Sequence, residues 1–227
     1  MANPVTTLAR RAQYGARQLP RVAWYVGHGL AMNRLSGRAR AAGIQNRANA
    51  STDKPIPDQR RLYADLTGLL RRDLENVERG IYPLPRDNDG DLRAVLRRSR
   101  LFFDDLPEVN RRREEDDNSE VFQDDMKGRR PRYYLQNFHY QTGGWMTDDS
   151  AARYDTQVEV LFNGSANAMR RQAIVPIAEW MRGKDQRAVS LVDVACGTGR
   201  FLDAVKQAFP RLGVVGLDMS EPYIAET

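Results

Sequence analysis

The sequence has little cysteine and no long apolar run. Cys196 is the only cysteine among 227 residues, which excludes a disulfide within the chain and a zinc site built on several cysteines. The longest uncharged stretch near the N-terminus, residues 22–33, has 12 residues and is too short to cross a bilayer as a helix. No compact leucine-rich core of a secretory signal follows the first residues. These absences predict a protein of the reducing cytosol.

Acidic residues are absent from the first 51 positions, which carry eight arginines. Because the other 27 basic side chains face 30 acidic ones, the net charge of +5 comes from this segment. We therefore predict a basic, flexible arm over residues 1–52. Its charge suits an anionic membrane surface, nucleic-acid phosphates or an organelle-targeting role. Nucleic acid is the least favoured of these because no recognition motif accompanies the charge.

Residues 53–145 are predicted to form a helical region that includes an acidic linker. Apolar residues recur at helical spacing over residues 57–78 and again over residues 91–103. Those expected to face the core are Leu62, Leu66, Leu69, Leu70, Leu74 and Val77 in the first helix, and Leu92, Val95, Leu96 and Phe103 in the second. Residues 104–127 are mostly charged, which indicates a solvated linker or an exposed helix end.

Aromatic residues are concentrated over residues 133–145. They are predicted to pack the N-terminal helices onto the following domain or to form a lid or acceptor pocket. His139 lies among them and is the best-placed histidine for a general base, although a single histidine is more often structural.

A strand, a glycine-rich turn, a helix and a second strand follow one another near the C-terminus. Residues 189–194 are β-branched and apolar with Asp193 near the carboxyl end, and residues 213–217 form a similar run that Asp218 follows. The helix between them is predicted over residues 201–209. This order is typical of half a nucleotide-binding βαβ unit, so the predicted fold class is α/β.

The spacing of the turn residues favours a particular ligand. A dinucleotide site needs a third glycine three positions after Gly199, where Leu202 stands, and a phosphate-binding P-loop needs a Gly-Lys-Ser/Thr sequence that is absent. S-adenosylmethionine requires instead a close backbone approach, which Gly197 and Gly199 allow, and oxygen acceptors for its ammonium group, which Asp193 offers. Asp218 follows Gly199 by 19 residues, close to the spacing of about 20 expected for a ribose-binding acid.

Two segments of the sequence resemble the first two signature motifs of class I S-adenosylmethionine-dependent methyltransferases. These segments are Leu191-Val192-Asp193-Val194-Ala195-Cys196-Gly197-Thr198-Gly199 and Gly216-Leu217-Asp218-Met219-Ser220. The sequence of the first segment, together with Arg153-Tyr154-Asp155 upstream, is similar to that of the ubiquinone/menaquinone C-methyltransferase branch.

The resemblance implies a Rossmann-like methyltransferase domain, of which residues 146–227 would be the N-terminal part with the first two strands. It implies that the loop residues Ala195, Gly197, Thr198 and Gly199, with Asp193, hold the methionyl part of the cofactor. It further implies that Asp218 binds the ribose hydroxyls, Met219 packs beside the adenine, and Tyr154 contacts the cofactor. The expected methyl acceptor is a small or lipid-like molecule.

Residue 227 falls just inside the helix after the second strand, whereas such a domain would continue through about five more strands, so the chain is expected to be an N-terminal fragment. Two other functions stay open at this stage. One is a nucleotide-binding oxidoreductase with a degenerate glycine loop. The other is a non-catalytic module whose arm, residues 1–51, contacts a membrane or nucleic acid.

Overall fold

The protein is mostly helical, with a small parallel sheet near its C-terminus. The computed structural model describes residues 4–41, 58–122, 128 and 130–227. Within these residues the elements are α1 (Pro4–Ala41), α2 (Gln59–Glu78), α3 (Leu92–Glu115), α4 (Asp148–Leu161), α5 (Ala166–Gln172), α6 (Ile174–Met181), β1 (Ser190–Val194), α7 (Arg200–Ala208), β2 (Gly213–Leu217) and α8 (Glu221–Glu226). None of the helices in this described part of the chain is both long and apolar enough to cross a membrane.

Several of these helices begin after a short polar residue whose side chain caps the first turn. Asp91 accepts a hydrogen bond from the backbone N–H of Ala94 at the start of α3 (2.7 Å), and Thr147 accepts one from Ser150 at the start of α4 (3.2 Å). At the other end of α4 the chain turns through Gly164 at φ +79°, a conformation that glycine adopts without a Cβ penalty.

The flexible arm predicted over residues 1–52 is wrong over α1. This segment is one long helix, and it buries Tyr14, Gln18, Arg21 and Tyr25 against the rest of the protein. Residues 1–3 and 42–52 lie outside the described part of the chain. Composition misled the prediction because the acidic partners of the α1 arginines lie far along the sequence.

The boundaries and inward faces of α2 and α3 differ in part from the prediction. Val77 is buried as expected, whereas Leu62, Leu92 and Leu96 are more than half exposed. Helix α3 continues twelve residues beyond Phe103, through part of the charged segment that was predicted as a linker or an exposed helix end. It continues because this segment also carries an inward face, on which Asp105, Leu106, Val109 and Arg112 are buried.

Strands β1 and β2 pair in parallel, with Asp193 opposite Gly216 and Val194 opposite Leu217. Both strands lie within one residue of the predicted positions, and α7 connects them as predicted. Leu191 and Val214 pack on the main core, whose buried members are Val77, Tyr82, Ile174, Met181, Val205, Phe209 and Leu212. This register brings the carboxyl ends of both strands to one edge, where the candidate site lies.

The helical region and the sheet region are joined by packing between helices. Helix α4 contacts both α1 and α3, and α5 contacts both α2 and α7. The predicted domain boundary between residues 145 and 146 stays a prediction. Helices from the two sides of this boundary pack directly against each other. This packing positions α4, and with it Tyr154 and Asp155, beside the glycine-rich turn.

Candidate cofactor site

The turn after β1 is bent sharply and fixed to the end of β2. Ala195, Gly197 and Gly199 all have positive φ angles, of 64°, 57° and 72°. The N–H groups of Ala195 and Cys196 both donate to the carbonyl oxygen of Leu217, at 2.7 and 3.0 Å. Glycine fits two of these left-handed positions because it has no Cβ, whereas Ala195 adopts one under strain. The result is a short loop at the carboxyl edge of the sheet, and the Thr227 side chain packs so closely on Gly199 that a Cβ there would clash with it.

Cys196 has a packing role beneath this loop. A Cβ on Gly216 would lie 2.7 Å from the Cys196 sulfur and 2.8 Å from Leu202 Cδ1. Strand β2 therefore packs against the turn and against α7 with no room for a side chain at residue 216. Burial raises the pKa of the Cys196 thiol, aided by the nearby charges of Asp218 and Asp193. A protonated, buried thiol is a poor nucleophile, so the residue supports the turn and is no candidate for covalent catalysis.

Asp218 connects the two strand ends. Its carboxylate accepts a hydrogen bond from the N–H of Gly197 (2.9 Å) and another from the N–H of Ser220 (2.9 Å). Each carboxylate oxygen has a further lone pair, so both can still accept a bond from a ligand. Asp218 therefore contacts the glycine loop directly, and its role in binding the ribose hydroxyls stays a prediction.

Asp193 lies half-buried at the same edge, one strand away. Burial raises the pKa of Asp193, and the negative charge of Asp218 raises it further. The two acids at this edge create a site in which a positively charged ligand is stabilised and an anionic ligand is repelled.

The Thr198 hydroxyl is engaged within the protein, because it donates a hydrogen bond to the Asp155 carboxylate of α4 at 2.8 Å. The same carboxylate accepts from Arg200 Nε at 2.6 Å, and Arg200 also donates to the backbone carbonyl of Asn88 at 2.5 Å. Sequence reasoning assigned no site role to Asp155 or Arg200. The signal for Asp155 was its place beside Tyr154, but its contact with the loop depends on the packing of α4.

Tyr154 lies over the loop, where the resemblance implies a cofactor contact. A Cβ on Gly197 would be in van der Waals contact with the Tyr154 ring (3.9 Å), and the ring packs at 5.0 Å from that of Tyr223 in α8. Burial raises the pKa of Tyr154, so its hydroxyl stays protonated. Met219 is half-buried in the turn after β2, and the Thr227 hydroxyl donates to the carbonyl oxygen of Gly197 at 3.2 Å.

His139 is exposed and lies at the wall of a cavity that Tyr154 also lines. Its neighbours Phe138 and Trp145 stack at 4.0 Å, and the Trp145 carbonyl accepts a hydrogen bond from the Ser220 hydroxyl at 2.6 Å. The aromatic segment therefore contacts the turn after β2, as its predicted packing role requires. In the part of the chain that the structure describes, no cluster of three or more His, Cys, Asp or Glu residues could hold a metal ion.

Comparisons with protein-family models, with curated proteins and with solved structures gave no match for this chain. The function is therefore inferred from the chain's own residues.

Proposed function

We propose that the chain binds S-adenosylmethionine at the turn after β1 and functions in methyl transfer to a small or lipid-like acceptor. One observation carries this proposal: the N–H of Gly197 donates to Asp218, so that the glycine turn lies beside two acids at adjacent parallel strand ends. The β1–α7–β2 order supports a Rossmann-like domain of the class I methyltransferase type.

The charges of the site fit this cofactor better than a dinucleotide. An ammonium and a sulfonium are attracted by Asp193 and Asp218, whereas a pyrophosphate would be repelled by the same pair. Arg200, the cation nearest in sequence, already pairs with Asp155. An oxidoreductase with a degenerate loop is therefore the less favoured alternative.

Individual residues would divide the binding between them. Asp193 and the turn at Ala195, Gly197 and Gly199 would hold the methionyl part, with Thr198 fixing the turn through Asp155. Asp218 would accept hydrogen bonds from the two ribose hydroxyls. Met219 and Tyr154 would provide apolar contact, to the adenine and over the loop respectively.

When held by Asp193, the glycine turn and Asp218, the cofactor would supply an electrophilic methyl group on its sulfonium sulfur. The protein's contribution is to position the two reactants and to exclude water. The packed rings of Tyr154 and Tyr223 cover the loop side of the site. The fixed turn keeps the backbone N–H groups in place without reorganisation.

Calorimetry of the 227-residue chain with adenosylhomocysteine tests this proposal. We expect saturable binding of adenosylhomocysteine and no measurable binding of NADH under the same conditions. Tight NADH binding without a response to adenosylhomocysteine would replace the proposal with the oxidoreductase alternative.

A second candidate function, contact with an anionic membrane surface, is favoured by the outer face of α1. Leu8, Leu19 and Leu30 recur every eleven residues, which places them on one side of the helix, and they are 71%, 65% and 52% exposed. Arg34 and Arg38 are exposed on the same helix, which has no acidic residue. Exposed leucines with cations and without acids are typical of a helix that lies on anionic lipid.

We expect the variant L8S/L19S/L30S to bind phosphatidylserine-containing vesicles at least about tenfold more weakly than the unmodified chain, because each leucine loses apolar burial in the lipid. The matched control is L92S/L96S/L161S, which removes three exposed leucines from α3 and α4 and should bind normally. Vesicle co-sedimentation at low and high salt measures the binding of both variants. Equal binding by the two variants, or retention on duplex DNA but not on vesicles, would contradict the membrane assignment.

A further inference from the structure

Thr198 carries the only side chain between two glycines of the turn after β1. Gly197 and Gly199 both have positive φ angles, of 57° and 72°. Because glycine has more backbone freedom than any other residue, a turn of this composition loses much conformational entropy when it is ordered. The side chain of Thr198 is therefore the point at which the rest of the protein can fix the turn, and its hydroxyl donates to Asp155 of α4 at 2.8 Å.

Asp155 is itself held by Arg200, the first residue of α7. Arg200 Nε donates to one carboxylate oxygen of Asp155 at 2.6 Å, and the Thr198 hydroxyl donates to the other oxygen. The side chains of Asp155 and Arg200 are 15% and 14% exposed. An ion pair that is shielded from solvent to this extent is only weakly screened by salt, so it keeps its geometry.

Arg200 also connects the turn to α1, through the loop between α2 and α3. Its Nη1 donates to the backbone carbonyl of Asn88 at 2.5 Å and lies 3.8 Å from the Asp89 carboxylate. Asp89 also accepts a hydrogen bond at 2.8 Å from Nε of Arg21 in α1, and Arg21 pairs with Glu159 of α4 at 2.7 Å. A continuous series of hydrogen bonds and ion pairs therefore runs from the glycine turn to a buried arginine of the N-terminal helix.

We propose that this series, which we call the anchor (Thr198, Asp155, Arg200, Asp89 and Arg21), positions the glycine turn for its ligand. Asp155 and Arg200 are positioning residues, and the Thr198 hydroxyl serves the anchor instead of contacting the cofactor. The N-terminal helix thereby supports the cofactor site, a role that its composition did not predict. The inference rests on the proposed function and states how that site is preorganised, since a turn that is already ordered loses less entropy when a ligand binds.

Calorimetry of adenosylhomocysteine binding to the full 227-residue chain tests the anchor at Thr198. We expect Thr198→Val, which keeps the shape but removes the hydroxyl, to bind at least about fivefold more weakly, because the turn must then be ordered during binding. The conservative variant Thr198→Ser retains the hydroxyl and should bind within about twofold of the unmodified chain. Equal weakening by both variants would show that the hydroxyl does not hold the turn and would overturn the anchor.

Asp155→Asn separates anchoring from direct contact with the ligand. Asparagine keeps the size of the side chain but turns an NH2 group toward one of the two donors, so we expect a loss of affinity similar to that of Thr198→Val. The double variant should bind no more than about twofold more weakly than the weaker single variant, because both changes release the same contact. A loss in Thr198→Val that Asp155→Asn does not reproduce would place the Thr198 hydroxyl on the ligand and overturn the proposal.

Arg200→Gln distinguishes positioning from a simple effect of charge. Removing a cation from the region of the site would by itself strengthen the binding of S-adenosylmethionine, which is positively charged at its sulfonium. Loss of positioning has the opposite sign, and we expect binding of S-adenosylmethionine at least about fivefold weaker. The control Arg187→Gln removes an exposed arginine just before β1 and should stay within about twofold. Unchanged or tighter binding by Arg200→Gln would overturn its positioning role.

Amide hydrogen exchange of the unliganded chain measures the anchor without any cofactor. We expect faster exchange in peptides that cover residues 195–200 in Thr198→Val, Asp155→Asn and Asp89→Asn, because the turn then opens more often. Asp91→Asn is the control for the loop that carries Asp89, since Asp91 is exposed and asparagine also caps α3. Exchange that stays unchanged in all three anchor variants would overturn the anchor.

These measurements let the two proposals fail separately. If the unmodified chain binds no adenosylhomocysteine, the proposed function is overturned, and the exchange rates alone decide whether the anchor orders the turn. Normal adenosylhomocysteine binding by Thr198→Val and Asp155→Asn would overturn the anchor and leave the proposed function intact. Circular dichroism checks that each variant is folded, and the two Thr198 variants decide the outcome if Arg200→Gln does not fold.

Discussion

Replacing Asp218 with alanine is expected to weaken adenosylhomocysteine binding on the order of 100-fold, because hydrogen bonds to a charged acceptor contribute about 1.5–3 kcal/mol each. The carboxylate would lose its bonds to both ribose hydroxyls. It also holds the turn, since it accepts from the N–H groups of Gly197 and Ser220. Titration calorimetry with the 227-residue chain measures the loss.

Asp203→Ala is the matched control for this prediction. Asp203 lies exposed on α7 and accepts a hydrogen bond from Gln207 at 3.0 Å, so its loss removes one negative charge from the same region without touching the turn. Its adenosylhomocysteine affinity should stay within a factor of about two, as for a surface change away from the site. An Asp218→Ala protein that binds as tightly as this control would show that the acid does not hold the ligand.

Replacing Asp73 with alanine is expected to lower the free energy of unfolding by about 3–5 kcal/mol, the usual cost of breaking a buried ion pair from one side. Asp73 is fully buried and accepts four short hydrogen bonds. These come from Arg171 Nε (2.9 Å) and Nη2 (2.7 Å), the Tyr14 hydroxyl (2.7 Å) and the Tyr82 hydroxyl (2.8 Å). All four donors would remain buried without their acceptor.

The donors around Asp73 cannot adapt by losing their protons. Burial raises the pKa of Tyr14 and of Tyr82, and the charge of Asp73 adds to both shifts, so the two hydroxyls stay protonated. Arg171 keeps one partner, Asp87, at 2.6 Å. The variant therefore leaves inside the protein a partly paired guanidinium, a Tyr14 hydroxyl without its acceptor and a Tyr82 hydroxyl that keeps only the backbone carbonyl of residue 73 at 3.4 Å.

Urea unfolding followed by circular dichroism measures this effect, with Asp65→Ala as the control. Asp65 is an exposed acid on the same helix, α2, so its replacement should change the free energy of unfolding by no more than about 0.5 kcal/mol. A loss below about 1 kcal/mol in Asp73→Ala would show that the buried network contributes little to stability. Since a domain has only about 5–15 kcal/mol in total, the expected loss is a large part of it.

A second buried group of ion pairs, around Arg21, explains why α1 could not be predicted from composition. Arg21 lies 2.7 Å from Glu159 and 2.8 Å from Asp89, partners that are 138 and 68 residues away in the sequence. A segment of eight arginines without an acid predicts a solvated arm when it is considered alone. Long-range pairing converts part of that charge into an interior contact.

The sequence by itself determined the turn after β1, the two strands and the helix between them. These features depend on local rules: β-branched runs favour strands, glycine tolerates positive φ, and an acid near the end of each strand lies at the carboxyl edge of a parallel sheet. The contact between Gly197 and Asp218 follows from these rules once the strands pair in register.

Only the tertiary structure decided what surrounds that turn. The contact of Asp155 with Thr198, the place of Tyr154 over Gly197 and the cavity that includes His139 all depend on how α4 packs against α1 and α3. Packing between helices joins side chains that lie tens of residues apart, and helical periodicity fixes an inward face without specifying its partner. The local signals therefore specified the glycine turn and its two acids, and the packing of the N-terminal helices specified the side chains that surround them.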